Sequence, residues 1–136
     1  MNDKITIQEL AAYLPWEVEA IHLHRDITVK ILGLQLDLDV IHSNGKTPIQ
    51  FIKPILYTLS SLTKEIEHKG KKFVPIDYIA DKYYTQNWVS QLERCIEDER
   101  WVYHLDYSLV LHLLEWHMDI FGLLDRGLAV DKTTIL

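Results

Sequence analysis

A chain of 136 residues, 48% of them apolar, is long enough for one domain with a core of its own. Its net charge of −6 argues against nucleic acid as a partner, since phosphate neutralisation needs a surplus of Lys and Arg. A single cysteine, Cys95, excludes an intrachain disulfide and a multi-cysteine zinc site. No apolar run approaches the roughly 18 residues of a membrane span. The opening MNDKITIQEL also lacks the apolar heart of a signal peptide. The expectation is a cytoplasmic protein with no membrane partner.

The first element is a short helix. Thr6-Ile7-Gln8-Glu9 fits a capping box, Ile7, Leu10, Ala11 and Leu14 share a face, and Pro15 ends the run. From Glu17 the pattern alternates: Val18, Ala20, His22 and His24 point one way, and Glu19, Ile21, Leu23 and Arg25 the other. Ile27, Val29 and Ile31 continue it, but the apolar phase flips near Gly33, through a tight turn or a β-bulge. Leu32, Leu34, Leu36, Leu38 and Val40 then lie opposite Gln35, Asp37 and Asp39. These stretches read as antiparallel strands with one wet face. Ser43-Asn44-Gly45-Lys46 is a turn, and residues 49–52 return as a further strand.

Helical spacing takes over after Ser60, which with Ser61 offers a cap for a short helix reaching Glu67. His68 to Lys72 read as a charged turn, and Pro75 suits the first turn of the next helix. Trp88, Val89, Leu92, Cys95 and Ile96 line one face of another, whereas residues 101–105 fit a helix or an extended link equally well. The most apolar pattern spans Asp106 to Ala129: Leu109, Leu113, Trp116, His117, Ile120, Phe121, Leu124 and Leu128 recur at steps of three and four. It predicts one long core helix over about 106–127, ended by Gly127, with Val130 to Leu136 as a tail. Strands first and helices after make the fold class α+β: a small antiparallel sheet from the N-terminal half packed against a C-terminal helical layer, in a single domain over 1–136.

Two groups of side chains invite a chemical reading. His22 and His24, two apart on a strand, have metal-ligand spacing, and Asp37 and Asp39 repeat it on a candidate partner strand. In the right register the four would assemble a site for zinc, iron or manganese; in any other they are polar pairs on a wet sheet face, the commoner outcome. On the last helix His112, Glu115 and Asp119 are neighbours, which suits a metal or acid–base cluster but suits a solvated face better. His117 falls at the edge of the apolar stripe, where a buried hydrogen bond is expected. Lys69, Lys71 and Lys72 read as a solvated turn rather than a phosphate site, and Cys95 as a buried structural thiol.

Three segments carry a resemblance: TIQELAAYLP at 6–15, KPILYTLSSLTKEIEHKGKKFVPI at 53–76 and LLEWHMDIFGLLDRGLAVD at 113–131. Together they resemble a family of small uncharacterised proteins from Bacteroides phages and prophages. The third looks like that family's signature, here Trp116-His117-Met118-Asp119, Phe121-Gly122-Leu123, Asp125-Arg126 and Gly127-Leu128-Ala129, with Met118 where an aromatic residue is usual. The resemblance covers about half the chain and leaves out His22 and His24. It implies a mobile-element origin and a cytoplasmic life in a gut bacterium, and it carries no activity, so it assigns no catalytic residue.

With no catalytic set and no cofactor in view, the reading is an accessory protein that binds another protein, or a second copy of itself in a homo-oligomer, without catalysis. A small metal-binding protein or metal-dependent enzyme using His22, His24 and a carboxylate is the alternative.

Overall fold

Ala20 and His22 point inward from the first strand, and Glu19 outward, as the alternation requires. That strand, β1 (Glu19–His22), lies within a six-stranded sheet. The computed structural model describes residues 4–35, 37–84 and 86–134. Its other strands are β2 (Ile27–Leu34), β3 (Asp39–His42), β4 (Gly45–Pro48), β5 (Ile52–Leu56) and β8 (Val130–Asp131), in the order β4-β3-β2-β1-β5-β8. All neighbours run antiparallel except β5 and β8. The 130–131 stretch, expected as a tail, is therefore the sixth strand.

Local signals in the sequence act where they stand. In α1 (Ile7–Ala11) the Thr6 hydroxyl takes the Glu9 N–H while the Glu9 carboxylate takes the Thr6 N–H. The phase flip near Gly33 is a β-bulge: Ile31 pairs with His42, but Gly33 already pairs with Ile41, leaving Leu32 over. The turn between β3 and β4 closes on Ser43-Asn44, with Gly45 already paired to His42.

The middle of the chain departs from the helical expectation. Leu59–Thr63 is a single 3-10 stretch, and a separate hairpin follows, β6 (Ile66–His68) and β7 (Lys71–Phe73). Its two-residue turn puts Lys69 at φ 52° and Gly70 at φ 77°, both left-handed, as a type I′ turn demands. Pro75 opens α2 (Pro75–Lys82), and α3 (Trp88–Glu97) follows. Residues 99–104 are 3-10 helix, which decides between the two readings of that link.

The expected long helix over about 106–127 is cut short: α4 runs only from Tyr107 to Glu115. His117 adopts the left-handed region at φ 59°, and Met118 then bridges to Tyr57 beyond the end of β5. The Tyr57 N–H donates to the His117 carbonyl at 2.8 Å, and the Asp119 N–H to the Tyr57 carbonyl at 2.9 Å. The buried Asp119 carboxylate receives the N–H groups of Leu123 and Leu124, both at 2.8 Å. Pairing with the strand end and an internal carboxylate cap outcompete helix continuation, while Met118, Ile120 and Leu123 stay buried in the same core.

That core joins Ile5, Leu10 and Tyr13 near one end of the chain to Leu113, Met118 and Leu123 near the other. Tyr13 is fully buried; its hydroxyl donates to the Met118 carbonyl at 2.6 Å and accepts the Ile120 N–H at 3.3 Å. Arg126 pairs with Glu9, tying the 118–127 turns to α1.

Candidate functional site

Phe73 ends β7, Tyr78 lies in the second turn of α2, and His112 and Trp116 stand at the end of α4. β7, the α2 helix that follows it directly, and the distant α4 thus bring four rings together. Phe73 and Tyr78 meet Trp116 edge-on, with centroids 5.4 and 5.5 Å away, and His112 leans on it at 5.2 Å. Beside this cluster lies a cleft of about 350 Å³. The cluster forms its wall, the hairpin supplies His68, Lys69, Lys71 and Lys72, and Glu115 completes the lining. The three lysines are exposed, as expected of a charged turn, but they also border this hollow. Cations are thus concentrated against aromatic surface on a chain whose net charge is −6.

Burial shifts the cleft's imidazoles toward the neutral form. The Tyr83 hydroxyl and His112 Nε2 lie 2.8 Å apart, and the Glu115 carboxylate is 3.9 Å from Nδ1. Burial lowers the pKa of His112 despite Glu115. Burial also lowers that of His68, aided by Lys69. The His68 Nε2 atom is buried without a hydrogen-bond partner among the described residues, its ring edge-on to His117. Lys82 bonds the Tyr78 hydroxyl at 3.0 Å and rests over that ring, which fixes Tyr78 from the solvent side.

The four residues of the metal alternative are not gathered. His22 closes β1 and is buried, while His24 lies in the following turn, exposed, against Phe51. β2 separates β1 from β3, so Asp39 pairs across to Pro48 rather than to a histidine strand. Asp37 is exposed and takes the Asp39 N–H at 3.3 Å. His22 Nδ1 accepts the N–H groups of His24 and Arg25, so the neutral ring carries its proton on Nε2. That Nε2–H donates to Thr47 Oγ1 at 2.9 Å, leaving no lone pair for a cation. His42 does the same from the other side: Nδ1 accepts the Asn44 N–H, and Nε2–H donates to the same Thr47 oxygen at 2.9 Å. Among the described residues no three His, Cys, Asp or Glu side chains form a group able to hold a metal ion.

The helix cluster also resolves. Asp119, expected on a solvated face, is buried, and burial raises its pKa against the pull of the Leu124 and Leu123 N–H groups. His117 makes the expected buried bond, from Nε2 to the Trp16 carbonyl at 2.7 Å. Cys95 is fully buried, which pushes its thiol up to about 11.

A second hollow of about 370 Å³ lies between residues 4–8 and Leu38, Ile49 and Gln50. Among the described residues that line it, one side chain is charged, Lys4, and none carries a ring, so its chemistry is less distinctive. Among the described residues no helix is long and apolar enough to cross a membrane. Comparisons with protein-family models, with curated proteins and with solved structures found no match to this chain.

Proposed function

We propose that the chain is a non-enzymatic binding protein whose cleft beside the β6–β7 hairpin receives a segment of another protein. The supporting observation is the pairing of the Phe73, Tyr78 and Trp116 rings with Lys69, Lys71 and Lys72 around one hollow. Aromatic walls with a charged rim suit an apolar anchor flanked by polar groups of opposite sign. Two of the groups that could serve acid–base chemistry here are engaged otherwise, His112 with Tyr83 and Tyr78 with Lys82. In keeping with the resemblance of its three segments, the protein acts as a phage or prophage accessory factor in the bacterial cytoplasm.

A photo-crosslinking residue placed at Lys69, in cells carrying the element, tests this. One discrete adduct is expected there, absent when the crosslinker replaces the exposed Glu93 on α3 and abolished by Lys71→Glu with Lys72→Glu. An identical pattern from both positions overturns the reading. An adduct of twice the chain's mass identifies a homo-oligomer in place of a separate partner.

A further inference from the structure

Lys71, Lys72 and Phe73 are consecutive, so their side chains alternate across the hairpin, yet all three border the cleft. His68, Lys71 and Phe73 share one face of the hairpin and Lys72 belongs to the other, so the hollow lies under that face and reaches round the free edge of β7.

The hydrogen-bonding state of the two hairpin edges differs. His68 pairs with Lys71 across the two-residue turn, so Glu67 and Lys72 form the next pair, whose N–H and C=O groups point outward. On the β6 side that outward pair is satisfied: the Tyr57 hydroxyl accepts the Glu67 N–H at 3.3 Å and donates to the Glu67 carbonyl at 3.1 Å. On the β7 side no described residue bonds the Lys72 N–H or C=O. Val74, still extended at φ −97° and ψ 115°, places its N–H one step further along the same edge. Open strand edges invite another strand.

We infer that the cleft's occupant is an extended, acidic segment of the partner protein that adds to the free edge of β7 as a third strand. This rests on the reading of the cleft as a binding site. The main chain of the segment bonds Lys72, and one large apolar side chain enters against Phe73, Tyr78 and Trp116. Its acidic residues lie over Lys69, Lys71 and Lys72. Glu115, a carboxylate within the cleft, keeps the segment's acidic residues out of the anchor position. The lysines repel a basic segment from this edge and favour an acidic one, which sets the partner's chemistry.

The probe is a terminally blocked peptide of alternating Glu and Val around one Phe, beside the same peptide N-methylated on the two residues flanking Phe. Methylation removes strand hydrogen bonds and leaves every side chain in place. Titration of the intact protein is followed by NMR, with amide hydrogen exchange read at Lys72. The unmethylated peptide is expected to shift the Phe73, Tyr78 and Trp116 resonances and slow exchange at Lys72 by about tenfold or more. The methylated peptide is expected to bind about tenfold more weakly. Binding that moves the ring resonances while Lys72 exchanges unchanged, with equal affinity for both peptides, overturns strand addition and leaves the cleft standing as an anchor site. No binding by either peptide overturns the inference as well. The reading of the cleft falls only if the Lys69 crosslink also fails.

Discussion

His117 donates its Nε2–H to the main-chain carbonyl of Trp16 at 2.7 Å, across 101 positions of sequence. Burial pushes its pKa from 6.5 down to about 4, opposed by that bond and aided by Lys132, His68 and Lys69. The folded state therefore holds the ring neutral where the unfolded chain would protonate it. This contribution is complete above pH 6.5 and is lost as pH falls toward 4, about 3 kcal/mol in all. His42, His68 and His112, also lowered, act in the same sense. Asp119 and Glu99, raised by burial, act oppositely: their contribution is present in acid and fades as pH rises through their own range. Thermal melts between pH 7.5 and 4.5 should show stability dropping on acidification. His117→Asn, which tolerates the left-handed backbone, should be less stable at neutral pH but visibly less acid-sensitive. Equal acid sensitivity in both proteins would contradict the assignment.

Thr47 is the shared acceptor of two buried imidazole donors. Thr47→Val keeps the shape and strands both Nε2–H groups, so a loss of about 2–4 kcal/mol is expected in urea unfolding with an unchanged slope. Thr47→Ser retains the oxygen and should cost less than about 1 kcal/mol, through the lost methyl group. Imidazole nitrogen shifts should report the Nε2–H tautomer for both His22 and His42. A Thr47→Val protein as stable as the parent would mean that the two rings find other acceptors.

The turn after α4 depends on Tyr13 and Asp119 together. Tyr13→Phe removes a buried hydroxyl that both donates to Met118 and accepts from Ile120, at an expected cost of about 1–3 kcal/mol. Asp119→Ala uncaps Leu123 and Leu124 and should cost at least as much. Because both substitutions loosen one turn, their effects should fall short of additive in a double-mutant cycle. Simple additivity would show that the two anchors act separately.

Lys69 occupies the first left-handed position of the β6–β7 turn, where Asn is better suited. Lys69→Asn should raise stability by up to about 1 kcal/mol, measured by denaturant midpoint. Gly70→Val should do the reverse, since φ 77° strains a β-branched residue, and should weaken any ligand bound in the cleft. Insensitivity of binding to Gly70→Val would place the ligand elsewhere.

The features legible in the sequence are those set by near neighbours. The Thr6–Glu9 capping box, Pro75 at a helix start, the phase flip near Gly33 and the α+β class all follow from residues a few positions apart, whereas the choice of a bulge over a tight turn at Gly33 needs the partner strand. The overextended helix has a physical cause. The 116–128 segment keeps apolar residues at helical steps because a buried turn also needs them, and nothing local announces that Tyr57 will pair with Met118. The His22 to Asp39 idea failed on strand order, since β2 inserts between the two strands. The cleft was illegible for a similar reason: Phe73, Tyr78 and Trp116 form a wall only once the hairpin, α2 and α4 are in place. The three lysines gave the local signal, and they gain meaning only beside those rings.

The bonds Tyr13–Met118, Trp16–His117 and Glu9–Arg126 join segments more than 100 positions apart, and β8 seats beside β5. During synthesis, α1 and the turn after it lack these bonds until residues 117–131 emerge. Contacts of such long reach close late and slow the search for the native state. Helix α1 should therefore stay unsettled until residues 117–131 are in place, and protease resistance should be acquired in one late step rather than by gradual accumulation.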